Sequence, residues 1–368
     1  MSIAPDRSAS RASLGMPSRS RPVRSVLCGI ATLLLTGLIA GASSPDERRL
    51  VPKTGVAADP HMAEYRRPAT IPYPSDNVRT AARDVLGRTL FFDPRLSGSG
   101  WIACATCHNP GLGWGDGLPR ATGHGMRQLD RRTPTILNLA WAPALFWDGR
   151  AGSLEEQALG PIQNAREMNL SLDVLVKRLG RIDGYRALFA RAYPGEGISG
   201  ATVAKAIATF ERGVVSSTAP FDRWIAGDTQ AMTPAAQRGF VLFNEKARCA
   251  TCHTSWRFSD DGFYDIGVES NDEGRGKLTP GIEIARFAFK TPTLRNVERR
   301  APYMHNGAIA TLAGVIELYD RGGLVRRPSL SPEIRPIGLT AAEKQDLVQF
   351  LRALTSPDPE TRIPILPR

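Results

Sequence analysis

Two copies of the pentapeptide Cys-Ala-Thr-Cys-His, at 104–108 and 249–253, constrain this chain more than any other feature. The pattern C-x-x-C-H is the attachment site of a c-type haem. In each copy the two cysteines can bond to the haem vinyl groups and the histidine can bind the iron. The sequence therefore predicts two covalent haems, attached at Cys104, Cys107, His108, Cys249, Cys252 and His253.

The motif cysteines have two alternative roles. Zinc ribbons hold their cysteine pairs about 15–20 residues apart, much closer than these two pairs. Disulfide frameworks are typical of small secreted chains that are rich in cysteine. This chain has 5 cysteines in 368 residues, so haem attachment fits better than either alternative.

The N-terminus predicts export. Several arginines precede an apolar run over 26–42 that ends in Ala40-Gly41-Ala42. This layout is typical of a Sec-type signal peptide over 1–42 with cleavage after Ala42. Covalent haem attachment takes place outside the cytoplasm, so we expect a periplasmic protein with no membrane contact after cleavage. The alternative is an uncleaved anchor helix, although the run is shorter than the ~20 residues of a span.

The net charge of +11 does not by itself indicate a nucleic-acid partner. The basic residues are scattered or occur in pairs, as at 131–132 and 299–300. Nucleic-acid binding would need a basic patch or stripe, so it is not predicted. A basic surface that steers an acidic protein partner stays open.

Internal similarity indicates a duplication. The stretch 86–91 before the first motif resembles 238–243 before the second, and 133–138 resembles 291–296. The predicted fold is all-α, with two cytochrome c-like haem domains and long irregular loops. The predicted segments are a signal peptide 1–42, an irregular arm 43–70, an N-terminal haem domain 71–219, a C-terminal haem domain 220–355 and an extended tail 356–368.

Local patterns support helices. Apolar residues at a period near 3.6 predict a helix over 199–215. Thr340 and Glu343 form a capping box at the start of another helix. Thr233-Pro234 is typical of the start of the helix that leads to the second haem motif.

Both haem motifs, together with the stretches 146–151, 153–157 and 167–168, resemble the bacterial dihaem cytochrome c peroxidase and MauG family over residues 70–355. The resemblance implies that the N-terminal haem, on His108, is the one that meets peroxide. It also implies that the second haem, on His253, passes electrons.

The resemblance places Gln157 and Glu167 beside the first haem. Cleavage of hydrogen peroxide requires a proton to move from one oxygen to the other, and a carboxylate can carry that proton. An amide can orient the peroxide. Without the resemblance, the polar stretch 155–157 is more typical of a solvated helix surface.

Trp147 corresponds to the tryptophan that lies between the two haems in this family, where an aromatic ring lowers the barrier to electron or hole transfer. In the duplication it stands opposite His305. The alternative role is simple core filling, which is common for large aromatic residues.

His124 lies between two glycines, which give a loop that is able to swing. In peroxidases of the family a histidine at this distance from the first motif binds the resting iron and leaves when the other haem is reduced. MauG-like members lack this ligand. His124 is therefore a candidate iron ligand, and a solvated loop histidine is the alternative.

At the second haem the resemblance points to Tyr319. Peroxidases of the family carry a methionine there as the sixth ligand, whereas MauG-like members carry tyrosine. Methionine raises the potential of a haem, and a phenolate, as a hard anion, favours the oxidised iron. Tyr319 is predicted to be the ligand; the alternative is a core tyrosine with Met304 or another methionine on the iron.

The family often holds a calcium ion between its domains, bound by one asparagine side chain and two carbonyls. The asparagine position here is Arg132, and the carbonyls would be those of Arg300 and Pro302. Arginine has only donors and cannot bind calcium. We therefore expect the charges of Arg132 and Arg300 to replace the ion.

The leading interpretation is a peroxidase that reduces hydrogen peroxide with electrons from a small cytochrome c or cupredoxin, relayed through the second haem. Tyr319 favours the alternative, a MauG-like enzyme that oxidises side chains of a partner protein at long range. A dihaem cytochrome without catalysis, an interpretation of another class, conflicts with Gln157 and Glu167. A homodimer is one option for the quaternary structure.

Overall fold

The computed structural model describes residues 60–357 and 360–368. The predicted signal peptide 1–42 and residues 43–59 of the predicted arm lie outside this range. The described part is mostly helical, which confirms the predicted fold class. Its α-helices are α1 Pro60–Glu64, α2 Ala81–Phe91, α3 Cys104–Cys107, α4 Leu154–Gln163, α5 Leu172–Gly180, α6 Asp183–Ala192, α7 Gly200–Arg212, α8 Pro220–Ile225, α9 Pro234–Asn244, α10 Leu312–Asp320 and α11 Ala341–Ala353.

Strands are few and short. β1 Phe263–Tyr264 and β2 Phe289–Lys290 form a two-stranded antiparallel sheet in which Phe263 pairs with Lys290. Short 3-10 helices interrupt the long connections, at Ser75–Asn77, Pro94–Leu96, Pro110–Leu112, His124–Met126, Leu139–Trp141, Cys249–Thr251, Arg275–Lys277, Glu283–Ala285 and Val297–Arg300. No helix in the described range is long and apolar enough to cross a membrane.

The helices begin at polar caps. The side chain of Thr340 accepts a hydrogen bond from the N–H of Glu343, and the Glu343 side chain bonds back to Thr340, so the predicted capping box is confirmed. The predicted start of α9 is confirmed too, since Thr233 caps it and Pro234 is its first residue. The helix predicted over 199–215 ends three residues early, because the chain turns at Gly213.

Two similar helix crossings reveal the duplication in space. α2 packs across α7, and α9 packs across α11. A Cβ atom built on Gly87 would lie 1.9 Å from the carbonyl oxygen of Ala206, and one on Gly239 would lie 2.1 Å from that of Asp346. Each crossing therefore requires a glycine, because any side chain would push the helices apart.

A second matching pair of features supports the same conclusion. Asn138 and Asn296 both have a left-handed backbone, with φ of 64° and 57°. The Oδ1 atom of Asn138 accepts from the N–H of Ser216 at 3.0 Å, and that of Asn296 accepts from the N–H of Ser356 at 2.9 Å. Each half thus closes with the same buried asparagine–serine contact.

Two apolar clusters form the cores. The first contains Phe91 and Trp114, and the second contains aromatic rings at Phe221, Phe258 and Phe350. Burial of this surface is the main stabilising contribution to such a fold. The proposed domain limits, with a boundary near residue 220, stay a prediction.

The ends of the described chain join these cores. The expectation of an irregular arm over 43–70 misses helix α1, after which Tyr65 stacks on Phe258 of the second core with ring centroids 4.9 Å apart. The described residues of the tail, 356–357 and 360–368, form neither helix nor strand. The tail returns to the first half, where Arg95 Nη1 donates to the carbonyl oxygen of Pro367 at 2.9 Å.

Candidate active site

Both pentapeptides open into one cavity of 620 Å³. Its lining includes every residue predicted to attach haem: Cys104, Cys107, His108, Cys249, Cys252 and His253. All four motif cysteines are free thiols. Among the described residues, no three metal-ligating side chains gather closely enough to hold an ion. The described residues thus form neither a disulfide nor a cluster with the geometry of a zinc site.

The first motif is shaped by one helical turn. The N–H of His108 donates to the carbonyl oxygen of Cys104 at 2.9 Å, at the end of α3. His108 Nδ1 lies 3.2 Å from the carbonyl oxygen of Trp114. A neutral imidazole that donates through Nδ1 keeps its Nε2 lone pair for a metal. Burial lowers the pKa of His108, which keeps the ring neutral and ready to bind iron.

The second motif repeats this geometry. The N–H of His253 donates to the carbonyl oxygen of Cys249 at 2.9 Å, and His253 Nδ1 lies 2.8 Å from that of Phe258. Phe258 and Trp114 share a left-handed backbone, with φ of 55° and 62°. Burial lowers the pKa of His253 as well. Both histidines are thus oriented in the same way by a backbone carbonyl.

Gln157 and Glu167 line the cavity on the side of the first motif. Gln157 lies on α4, and Glu167 lies in the turn that follows this helix. Asn164 Nδ2 donates to Glu167 Oε1 at 2.8 Å. Burial raises the pKa of Glu167, against a smaller opposing effect of the Arg150 charge. The carboxyl group therefore holds a proton more readily than an exposed glutamate does.

Trp147 is buried and joins the two halves. Its Nε1 donates to the carbonyl oxygen of Arg132 at 2.8 Å, and its own carbonyl accepts from the N–H of Lys290 at 2.8 Å. The next residue, Asp148, accepts from Arg131, which also binds Asp272 of the second half at 2.5 Å. The indole is therefore fixed in position along the wall of the shared cavity.

His124 does not line the cavity. Its backbone N–H donates to the carbonyl oxygen of Glu167 at 2.8 Å, so it supports the turn that carries the acid. Its Nδ1 atom is buried without a hydrogen-bond partner. The structure thus does not bring His124 together with the other predicted iron ligands.

Tyr319 lies on α10 and lines the cavity beside the second motif. Burial, together with the nearby Cys249 and Cys252, raises the pKa of its phenol. Met304, the alternative ligand, also lines the cavity and packs against the second core. Position alone therefore admits both side chains.

Glu211 was not singled out from the sequence, yet it lines the same cavity. It is only 4% exposed, and its Oε2 atom has no hydrogen-bond partner. Burial raises its pKa to about 8, although Arg212 opposes the shift. The available signal was its place one helical turn after Ile207, on the apolar face of the helix predicted over 199–215.

His305, opposite Trp147 in the duplication, also lies in the cavity wall. Its ring stacks on Phe289 with centroids 3.6 Å apart, and its Nε2 lies 3.0 Å from Ser270 Oγ. Burial lowers the pKa of His305 to about 4, so it is neutral at physiological pH.

The residues present fit two c-type haems. Each end of the cavity offers a pair of free thiols and an imidazole whose second nitrogen is already tied to a carbonyl. The cysteines would hold the vinyl groups, and His108 and His253 would hold the irons. The carboxyl group of Glu167 lies near Cys107 of the first motif, and the amide of Gln157 lines the same cavity.

The fold and this cavity define an oxidoreductase of the c-type dihaem class. The family model described as di-haem cytochrome c peroxidase matches residues 81–230. A protein named methylamine utilization protein MauG, from Methylorubrum extorquens, is 51% identical over 83% of this chain and 87% of its own length. The chain belongs to the dihaem cytochrome c peroxidase and MauG family and carries two covalent haems.

Two further comparisons place the chain within the family. The cytochrome c551 peroxidase of Nitrosomonas europaea is 36% identical over 77% of this chain and 82% of that protein. The crystal structure of a MauG-like protein associated with microbial copper homeostasis aligns with a TM-score of 0.73 and 33% identity, over 78% of this chain and 94% of the other.

These findings correct the leading interpretation. The relative named MauG shares 51% identity, whereas the relative named as a peroxidase shares 36%. The expectation of a peroxidase supplied with electrons by a small redox protein is therefore wrong, and the alternative is better supported. Family membership still implies peroxide and a redox or protein partner.

Proposed function

We propose that this chain is a MauG-like enzyme, which takes oxidising equivalents from hydrogen peroxide and uses them to oxidise side chains of a partner protein at long range. One observation carries the proposal: a tyrosine, Tyr319, lines the cavity at the second haem motif where a peroxidase of the family would carry methionine. The similarity to a protein named for methylamine utilization supports it and suggests a partner in that process.

When bound, the haems supply the redox chemistry, and the side chains move protons and set positions. Glu167 carries the proton that peroxide cleavage needs. Its raised pKa makes it hold a proton more readily than an exposed glutamate does, and its place in the cavity wall lets it pass that proton over a short distance. The Gln157 amide, on α4, orients the peroxide between the acid and the His108 side of the cavity.

Trp147 provides the aromatic bridge between the two ends of the cavity. Its ring is held at Nε1 by the carbonyl oxygen of Arg132, and its backbone is held by Lys290. A ring with a fixed orientation keeps the transfer distance constant. The ion pairs of Arg131 with Asp148 and Asp272 secure the loop that carries it.

Tyr319 would hold the second iron through its phenolate oxygen. Among the described residues no hydrogen bond occupies this hydroxyl group, which leaves it available for a ligand role. An anionic oxygen donor stabilises oxidised iron, whereas a thioether stabilises reduced iron. The second haem would then store oxidising equivalents instead of electrons. We further propose that the protein works in the periplasm, after removal of residues 1–42.

The test is to mix fully oxidised holoprotein with equimolar hydrogen peroxide, without reductant, and to follow the haem absorbance by stopped flow. We expect an immediate spectral change at both haems. Tyr319→Met should raise the reduction potential of the second haem. In this variant the spectral change on adding peroxide should be confined to the first haem. Glu167→Gln should slow the reaction at least about 100-fold at equal haem content, because it removes the acid–base group.

Glu196→Gln is the matched control, because Glu196 is an exposed carboxylate outside the cavity. It should react as the wild type does. An oxidised protein that stays inert to peroxide until it is partly reduced would contradict the proposal. So would a Tyr319→Met variant with an unchanged potential.

A further inference from the structure

Two buried arginines occupy the place where the family resemblance implies calcium. The ligands of that ion would be the side chain at position 132 and the carbonyl oxygens of Arg300 and Pro302. Arginine offers donors only. This chain therefore does not fit calcium.

The Arg132 side chain points at one of those carbonyls. Its Nη2 donates to the carbonyl oxygen of Arg300 at 2.5 Å. Its backbone N–H donates to the carbonyl oxygen of His305 at 2.7 Å, and its own carbonyl accepts from Trp147. The guanidinium group thus contacts an oxygen that would otherwise face the ion. Through these hydrogen bonds Arg132 also connects Trp147 to the second half.

Arg300 crosses the boundary in the opposite direction. Its Nη2 donates to the carbonyl oxygen of Thr293 at 2.6 Å, within the second half. Its side chain lies against Gly113 of the first half, where an added Cβ would come within 3.0 Å of Arg300 Cγ. Gly113 has φ of 64°. The two arginines therefore interlock the halves from both sides.

Neither guanidinium forms an ion pair within the described residues, although the charge of Asp116 acts on Arg132. Arg132 and Arg300 are 7% and 6% exposed, and the hydrogen bonds that they donate within the described range go to carbonyl oxygens. The Nε of Arg132 is buried without a partner. Burial and the charge of Arg132 lower the pKa of Arg300 to about 9.

A buried charge without a counterion costs several kcal/mol. Both arginines line the cavity that holds the haem motifs, and each haem carries two propionate carboxylates. Those carboxylates are the anions that the cavity receives, and an arginine binds a carboxylate through two parallel hydrogen bonds.

We propose that the guanidinium groups of Arg132 and Arg300 form a built-in cation site, which replaces calcium between the two haem sites and binds haem propionate. This site supplies the two positive charges of the ion without any dependence on free calcium. The inference does not rest on the proposed function, because it concerns only how the holoprotein holds its cofactors.

The first test is metal analysis of the purified holoprotein, with melting curves recorded in excess EGTA and again in added calcium chloride. We expect calcium well below one per chain and the same melting temperature and visible spectrum in both buffers. One calcium per chain, or a melting temperature that falls in EGTA and recovers with calcium, would overturn the proposal.

The second test compares Arg132→Met with Arg132→Lys in a spectroelectrochemical titration of both haems. A positive charge next to a haem favours its reduced form, so Arg132→Met should lower at least one reduction potential, while Arg132→Lys should stay near the wild type. Arg120→Met, which removes an exposed arginine, is the control and should leave both potentials unchanged.

If Arg132→Met has the potentials of the wild type and of Arg120→Met, the propionate contact is refuted. If Arg132→Met does not accumulate as holoprotein, Arg300→Met is titrated in its place, and wild-type potentials in that variant would likewise refute the propionate contact. If Arg132 served only in packing, Arg132→Met and Arg132→Lys would both keep the reduction potentials of the wild type.

Discussion

Glu211 makes the two halves chemically unequal. Phe210 and Phe350 occupy equivalent places, since each packs on the glycine of its helix crossing. The next residue is Glu211 in the first half and Leu351 in the second, and both line the cavity. The first half, where we propose that peroxide reacts, thus buries a carboxyl group where the second half buries a leucine.

This carboxyl group should make stability depend on pH. Its pKa is about 8 in the folded protein, against 4.5 when exposed. Between these values the folded state keeps a proton that the unfolded state loses, so stability falls as the pH rises from about 5 to about 8. The free energy of unfolding should fall by about 1.4 kcal/mol per pH unit within this range. The total loss is on the order of a few kcal/mol.

Glu211→Gln should remove this contribution, so its unfolding free energy relative to the wild type should increase steadily over that range. Urea unfolding of the holoproteins at several pH values measures it. Glu196→Gln, at an exposed site, should show a constant difference. A difference for Glu211→Gln that does not change with pH would mean that this carboxyl group is not buried in neutral form.

Residues with a strong local motif were predictable. The cysteines and histidines of the two pentapeptides needed no fold, because their spacing alone defines the chemistry. Gln157 and Glu167 needed the family resemblance, since a polar stretch on a helix has many explanations. His124 shows the limit of spacing: its ring lies outside the cavity lining, and only the folded loop decides this.

The helix crossings set the shape of each half at the scale of elements. Gly239→Ala should destabilise the holoprotein by about 1–3 kcal/mol, because the new methyl group would overlap the carbonyl oxygen of Asp346 in a packed core. The gain in helix propensity of about 1 kcal/mol offsets only part of this. Thermal or urea unfolding measures the change.

Gly180, the last residue of α5, is the matched control. A Cβ there would meet nothing within 4 Å, so Gly180→Ala should be neutral or slightly stabilising. Equal stability of the two variants would show that α9 and α11 do not approach as closely as described.

Element starts were easier to predict than element ends. Caps at Thr233 and Thr340 are local hydrogen-bonding patterns, and both mark the observed starts. The end of α7 and the existence of α1 depend on contacts that are distant in sequence. Tyr65 is held by Phe258, almost two hundred residues away, and no periodicity in the arm could indicate that contact.

Processing of the whole chain provides a further prediction. Protein purified from the periplasm should begin at Ser43, because Ala40-Gly41-Ala42 is a typical cleavage site. N-terminal sequencing or intact mass, corrected for two haems, measures it. A mass that includes residues 1–42 on membrane-bound protein would favour the anchor-helix alternative.

The duplicated architecture was predictable because haem motifs and the stretches around them repeat along the chain. The choice between a peroxidase and a MauG-like enzyme was not predictable from the sequence, because His124 favoured the peroxidase and Tyr319 favoured the MauG-like enzyme. These residues lie far apart in sequence and each has an ordinary structural explanation. Only the common cavity, together with the comparison of relatives, gives Tyr319 the greater weight.

The return of the C-terminal tail has a practical consequence. The carbonyl oxygen of Arg368 accepts from the N–H of Gly184, and that of Pro367 accepts from Arg95. Residues 367–368 therefore rest on the first half, whereas α11, which precedes them, belongs to the second. A fluorophore attached at residue 368 would therefore report on the half that carries the first haem motif.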